Sequence, residues 1–156
     1  MAVRLTDGFV KVWWVTTLSS TTSPTATQIN AGVALEGFLL ADGLDVTPDQ
    51  NMVDVSVLNS LSELQNFGRT KVDMSLSMKR DTVDTAWTTF ASNPSGYLVV
   101  RRGVANTTTG TAGQKVSVFP AKASNRFETK VASNEMDQFM VKLALSADYV
   151  VEGTVA

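Results

Sequence analysis

Between positions 70 and 79 the apolar residues take every second place, with Val72, Met74, Leu76 and Met78 separated by Lys71, Asp73, Ser75, Ser77 and Lys79. A period of two gives a β-strand with one buried and one wet face. Asp81 and Thr82 then offer N-cap oxygens, and Val83, Ala86, Trp87 and Phe90 recur at i, i+3, i+4 and i+7, the spacing of one helical face. Asn93, Pro94, Ser95 and Gly96 end that helix, and residues 97–102 read as the next strand. The segment is a scaffold with no reactive group on it.

The same reading extends along the chain. Residues 9–15 suit a first strand in which Trp13 and Trp14 point to opposite faces, one into a core and the other exposed or covered by a neighbouring subunit. Residues 16–27 are mostly Thr and Ser around Pro24 and read as a loop unable to bury itself, with a helical turn near 26–31. Val33, Leu35, Phe38 and Leu39 return to the core, and residues 51–58 form a second strand with Met52, Val53, Val55 and Val57 as its apolar content. Leu58, Leu61, Leu64 and Phe67 follow at intervals of three, which suits a short helical turn or a loop with one apolar edge better than a strand. This stretch is either a loop folded back on its own core or an arm that buries its apolar edge on another subunit. Residues 106–113 predict a mobile hairpin tip or a longer loop, residues 115–119 a strand that extends past an edge or bulge at Pro120, and 138–145 a strand with Phe139, Val141, Leu143 and Leu145 on one face. The sum is six to eight strands and one good helix in one domain, a mainly β (α+β) antiparallel architecture.

Chemistry is harder to find. The chain has no histidine and no cysteine. The commonest general base near neutral pH, the commonest metal ligand and thiolate nucleophiles are therefore missing, which lowers the expectation of an enzyme. Its glycines form no G-x-G pair, so neither a dinucleotide fingerprint nor a P-loop is present. Asp42, Asp45, Asp49 and Asp54 miss the spacing of a calcium loop and read as turn-forming residues around Pro48. Asp81 and Asp84 read as helix-start acids, Glu135 and Asp137 as a solvated edge, and Arg101 and Arg102 as solvated strand ends. No cofactor or metal is expected. A net charge of −2 without a basic tract gives no electrostatic grip on nucleic acid. Charged residues make up 18% of the chain against about 25% in a typical soluble domain, so part of the surface is expected to be committed to partners. The apolar run at 9–15 is too short for a signal or membrane segment, which predicts a cytoplasmic location.

The order of segments resembles the major tail (tail tube) proteins of long-tailed, non-contractile bacteriophages. The resemblance rests on Asn30-Ala31-Gly32-Val33, Ala41-Asp42-Gly43, the Gly68-Arg69-Thr70 opening of the alternating strand, Asp84-Thr85-Ala86-Trp87, the run from Tyr97 to Gly103, and Asn134-Glu135. It implies a β-sandwich or partly closed barrel flanked by one short helix, over residues 1–156, that self-assembles into hexameric rings stacked as a hollow tube. The implied partners are other copies of the chain, tape-measure and tail-terminator or tip proteins, and DNA in transit, with no membrane. The implied location is the virion tail, after assembly in the bacterial host cytoplasm. On this reading Leu58, Leu61, Leu64 and Phe67 contact the next ring, and Lys71, Asp73, Ser75, Ser77 and Lys79 face the channel. A wall of mixed charge and hydroxyls lets DNA slide without sticking. Two other readings remain: the tube protein of a contractile injection or secretion apparatus, and a small β-barrel that binds a ligand beside Trp13, Trp14 and Trp87.

Overall fold

The structure, a computed structural model, describes residues 2–129 and 131–156. Its elements are β1 (Val10–Val15), α1 (Ala26–Asn30), β2 (Val33–Ala34), β3 (Leu39–Asp54), β4 (Gln65–Lys79), α2 (Thr85–Thr89), β5 (Ser95–Arg102), β6 (Lys115–Ala123), β7 (Phe127–Glu128), β8 (Gln138–Leu145) and β9 (Val150–Thr154). They form one antiparallel sheet in the order β2-β1-β5-β6-β8-β4-β3, with β9 added to β6 and β7 to β8. The sheet is not closed: β2 and β3 are its two ends, so the fold is a partly closed barrel with two short helices. No helix among the described residues is long and apolar enough to cross a membrane.

Alternation places the core as the sequence predicts. Val72, Met74, Leu76 and Met78 of β4 join Phe139, Val141 and Leu143 of β8, Leu98 and Val100 of β5, and Val12 and Trp14 of β1 in one buried cluster. Phe90 at the end of α2 closes it, with its ring 5.2 Å from that of Trp14. Helix α2 itself is shorter than the apolar spacing suggests. Asp84 adopts a left-handed conformation with φ of 52° and stands at the N-cap, so Val83 lies outside the helix and is exposed. The carboxylate of Asp81 accepts from the Thr82 amide and makes no helix cap. Asp84 instead accepts two bonds from the Arg80 guanidinium, at 3.2 and 2.8 Å, which holds its carboxyl below the usual carboxylate range.

Trp13 corrects the expectation that one tryptophan is left for a partner. Both are buried, Trp13 at 2% and Trp14 at 1% exposure. The opposite face of β1, β5 and β6 carries its own cluster of Trp13, Val15, Val99, Val116 and Val118, covered by Ile29 of α1 and by Val155. The Thr/Ser loop forms part of that cover: Pro24 and Thr22 carbonyls accept from the Ala156 and Thr154 amides. Pairing with the C-terminal strand satisfies a backbone that could not satisfy itself.

Pro120 lies inside β6, where one neighbour replaces another. Residues up to Val118 pair with β9, and from Ala121 onward the strand pairs with β8. The missing amide of proline is tolerated where that edge changes partner. Arg101 is the larger surprise, since it is fully buried and not a solvated strand end. It donates to the carbonyls of Ala105, Thr108 and Thr109 and to Gln114 Oε1, at 2.7–3.1 Å. Burial pulls its pKa down while the Glu36 carboxylate pushes it up. These bonds, with Asn30 holding both polar groups of the Gly110 backbone, cinch the loop after β5 against the sheet. The Thr/Gly-rich tip is thus anchored at several points, against the expectation of a mobile loop.

Candidate functional site

The longest hairpin, β3 with β4, brings together every residue singled out for assembly. Its lower half is ordinary sheet: Leu44 pairs with Leu76, Val46 with Met74 and Pro48 with Val72. Strand β3 corrects the reading of residues 42–50 as turns. Its outer edge has no strand neighbour, so Pro48 and four aspartates are accommodated there without breaking a ladder.

Above Gln50 the register shifts. Gln50 pairs with Thr70 but Met52 pairs with Phe67, so β4 carries one extra residue around Gly68 and Arg69. A Cβ at Gly68 would stand 3.1 Å from the Val53 side chain, which favours glycine at this bulge. The hairpin then runs on beyond the core. The segment from Gln65 to Phe67 is strand, not helical turn, and the connection spans residues 55–64. That connection is knitted by short bonds: Val55 donates to Leu64 O, Ser56 to Asp54 Oδ1, and Leu64 to Ser56 Oγ at 2.7 Å. The same Ser56 groups hold the Asp54 carboxyl below the usual range.

This upper half exposes its apolar side chains. Leu58 and Leu61 are as open as in a free peptide, at 106% and 104%, and Leu64 and Phe67 are exposed as well. Met52, Val53, Val55 and Val57 share that condition. The sequence reading gave these four to a second strand apart from the arm, so the exposed apolar projection is twice as large as expected. The available signal was their continuity with Leu58 and Leu61 across a stretch without a cation.

The polar positions of β4 lie on the opposite face from the core. Lys71 and Asp73 are exposed, while Ser75, Ser77 and Lys79 are half-buried. Most of their cross-strand neighbours extend the same character, Asp49, Thr47 and Asp45 on β3 and Lys142 and Gln138 on β8, with the apolar Met140 opposite Ser77. Lys71 Nζ lies 3.7 Å from Asp73 Oδ2. Lys71, Lys79 and Lys142 share this face with Asp45, Asp49 and Asp73, a balance of three cations and three anions. Such a surface has little net attraction for a polyanion. The residues Asp45, Thr47 and Asp49 were not legible, because their strand was read as turns.

The hairpin thus joins an apolar projection to a polar, charge-balanced wall. Neither holds a set of groups with catalytic geometry, and no cluster of three or more potential metal ligands occurs among the described residues. A family model described as phage tail tube protein matches residues 1–156. Among solved structures, the chain is similar to one in a cryo-EM structure of the anti-feeding prophage baseplate, six-fold symmetrised, with a TM-score of 0.60, 10% identity and 98% of each chain covered. At that identity the likeness is one of fold. No curated protein matches the sequence.

Proposed function

The chain belongs to the phage tail tube protein family, and from that premise we propose that it is a structural, non-enzymatic virion protein whose single domain assembles into hexameric rings stacked as the tail tube. The observation that carries this reading is the division of one hairpin into an apolar arm and a polar wall. A soluble monomer gains nothing from eight exposed apolar side chains on one projection, whereas a repeating assembly buries them at every joint. The six-fold symmetry of the baseplate structure that shares the fold supports a ring of six.

In the assembled tube Leu58, Leu61, Leu64 and Phe67 pack on the adjoining ring. Lys71, Asp73, Ser75, Ser77 and Lys79 line the channel, where balanced charge lets DNA pass. The tape-measure protein occupies that channel before ejection, and terminator and tip proteins close the two ends. Assembly takes place in the bacterial cytoplasm. The tail is of the long, non-contractile type in this reading. The fold shared with a prophage baseplate chain favours, as a second reading, the tube of a contractile injection apparatus. A sheath gene beside this one selects the second, and a tape-measure gene without a sheath selects the first. Negative-stain microscopy of the purified protein over a concentration series tests the common core: rings and hollow tubes support it, and a persistent monomer refutes it.

A further inference from the structure

The arm carries an electrostatic signature that its apolar content conceals. Residues 51–68 contain two acids, Asp54 and Glu63, and no base, a formal charge of −2. Asp54 is engaged by Ser56, but Glu63 is exposed, and among the described residues no cation lies within 4.0 Å of it. One other surface of the molecule has the complementary character. A cleft of about 270 Å³ at the end of β5 and the start of β6 is lined by Arg4, Arg102, Lys115, Ser117, Glu152 and Val104, with Val100 and Val116 lining it from the two buried clusters beneath. Three cations against one acid leave a charge of +2. Arg4 and Arg102 have no carboxylate within 4.0 Å among the described residues, and Lys115 binds the Thr154 hydroxyl. Val3 and Leu5, which flank Arg4 in the chain, and Val151, which precedes Glu152, are exposed.

We propose that this basic cleft is the dock for the arm of a second copy, with Glu63 facing Arg102 and Leu61 and Leu64 packing beside it against exposed Val3, Leu5 and Val151. The proposal rests on the tube reading and adds the receiving surface to it. Apolar area would supply the affinity and the opposite charges the register, the usual division at an interface. From the bulge to the turn the arm spans about eight residues, roughly 25 Å at about 3.3 Å per residue. Charge also selects against the surface around Arg80, where Asp84, Glu128 and Asp137 cluster and would repel an acidic arm.

The native chain has no cysteine, so single thiols can be placed at will. Glu63→Cys and Arg102→Cys proteins are mixed and treated with a short thiol-to-thiol cross-linker, beside a control mixture of Glu63→Cys with Lys142→Cys. The expected result is a dimer joining the first pair at several times the control yield. A yield equal to the control overturns the docking assignment even if tubes form. A specific cross-linked dimer in a preparation without rings or tubes keeps the dock and overturns the tube reading instead. Binding of duplex DNA that is lost in Arg102→Cys, with no specific cross-link, would reassign the cleft to phosphate and likewise overturn the proposal.

Discussion

The two halves of the β3–β4 hairpin have similar apolar content and opposite fates. In the lower half Val72, Met74, Leu76 and Met78 are buried against β8 and β1, and their partners Leu44 and Val46 pack at the same cluster. In the upper half Met52, Val53, Leu58, Leu61, Leu64 and Phe67 meet no core at all. Yet the upper half keeps its ladder, its bulge and a bonded turn. Shape there is held by the backbone and by Ser56, while the side chains are left over. Buried and exposed apolar side chains therefore occupy separate stretches of one element, and the proposed function gives stability to the first and assembly to the second.

Substitutions that separate the halves test this directly. Leu76→Ala in the lower half should lower unfolding free energy by about 2–5 kcal/mol in a denaturant titration, the usual loss for a buried leucine truncation. A loss below about 1 kcal/mol would mean that the lower half is not the anchor. Arg101→Ala comes next, at about 1–3 kcal/mol, because the carbonyls of Ala105, Thr108 and Thr109 lose their donor. Hydrogen exchange should rise in residues 104–114 and stay unchanged in the arm. That sharpens the contrast between a projection cinched by a buried side chain and one held by its own turn. Replacing Leu61 and Leu64 together by Ser should change unfolding free energy by no more than about 0.5 kcal/mol, as exposed positions do, while abolishing tube growth followed by light scattering. Equal destabilisation by the Leu76 and the Leu61/Leu64 changes would erase the distinction between the halves.

The smallest effect is electrostatic. Because Arg80 depresses the Asp84 carboxyl in the folded state, its stabilisation is present above the unfolded carboxylate range and lost as pH falls through the lower, folded value. Melting temperature should decline as pH falls below about 4, with a slightly shallower slope in Asp84→Asn. The magnitude is small because the pair is partly solvated. A slope unchanged by the substitution would show that Arg80 and Asp84 contribute nothing to holding the base of the barrel.

Much of the lower half was legible because its signals are local. Val72 to Met78 alternate on a strand flanked on both sides, and residues 138–145 of β8 read correctly for the same reason. Strand β3 was read in pieces, since an edge strand needs few buried positions and shows no clean alternation: beyond Val46 all of its residues are exposed or nearly so. Trp13 could not be placed because its cover, Ile29 and Val155, comes from distant parts of the chain. Arg101 was misread because its partners are mostly carbonyls, which carry no mark in a sequence. The spacing of Leu58, Leu61, Leu64 and Phe67 picked out side chains that the structure leaves exposed, on a loop as far as Leu64 and on strand β4 at Phe67. The cleft around Arg102 gave no sequence signal, since Arg4, Arg102 and Lys115 converge only through the fold.

The central claim is that one hairpin supplies both the joint and the wall of a tube. A cryo-EM map of tubes grown from the purified protein tests it in a single measurement. The account predicts six-fold rings in which Leu58, Leu61, Leu64 and Phe67 are buried on another subunit while Lys71, Asp73, Ser75, Ser77 and Lys79 line the channel. A map with the arm free in solvent, or with that β4 face turned to the outside, would contradict it.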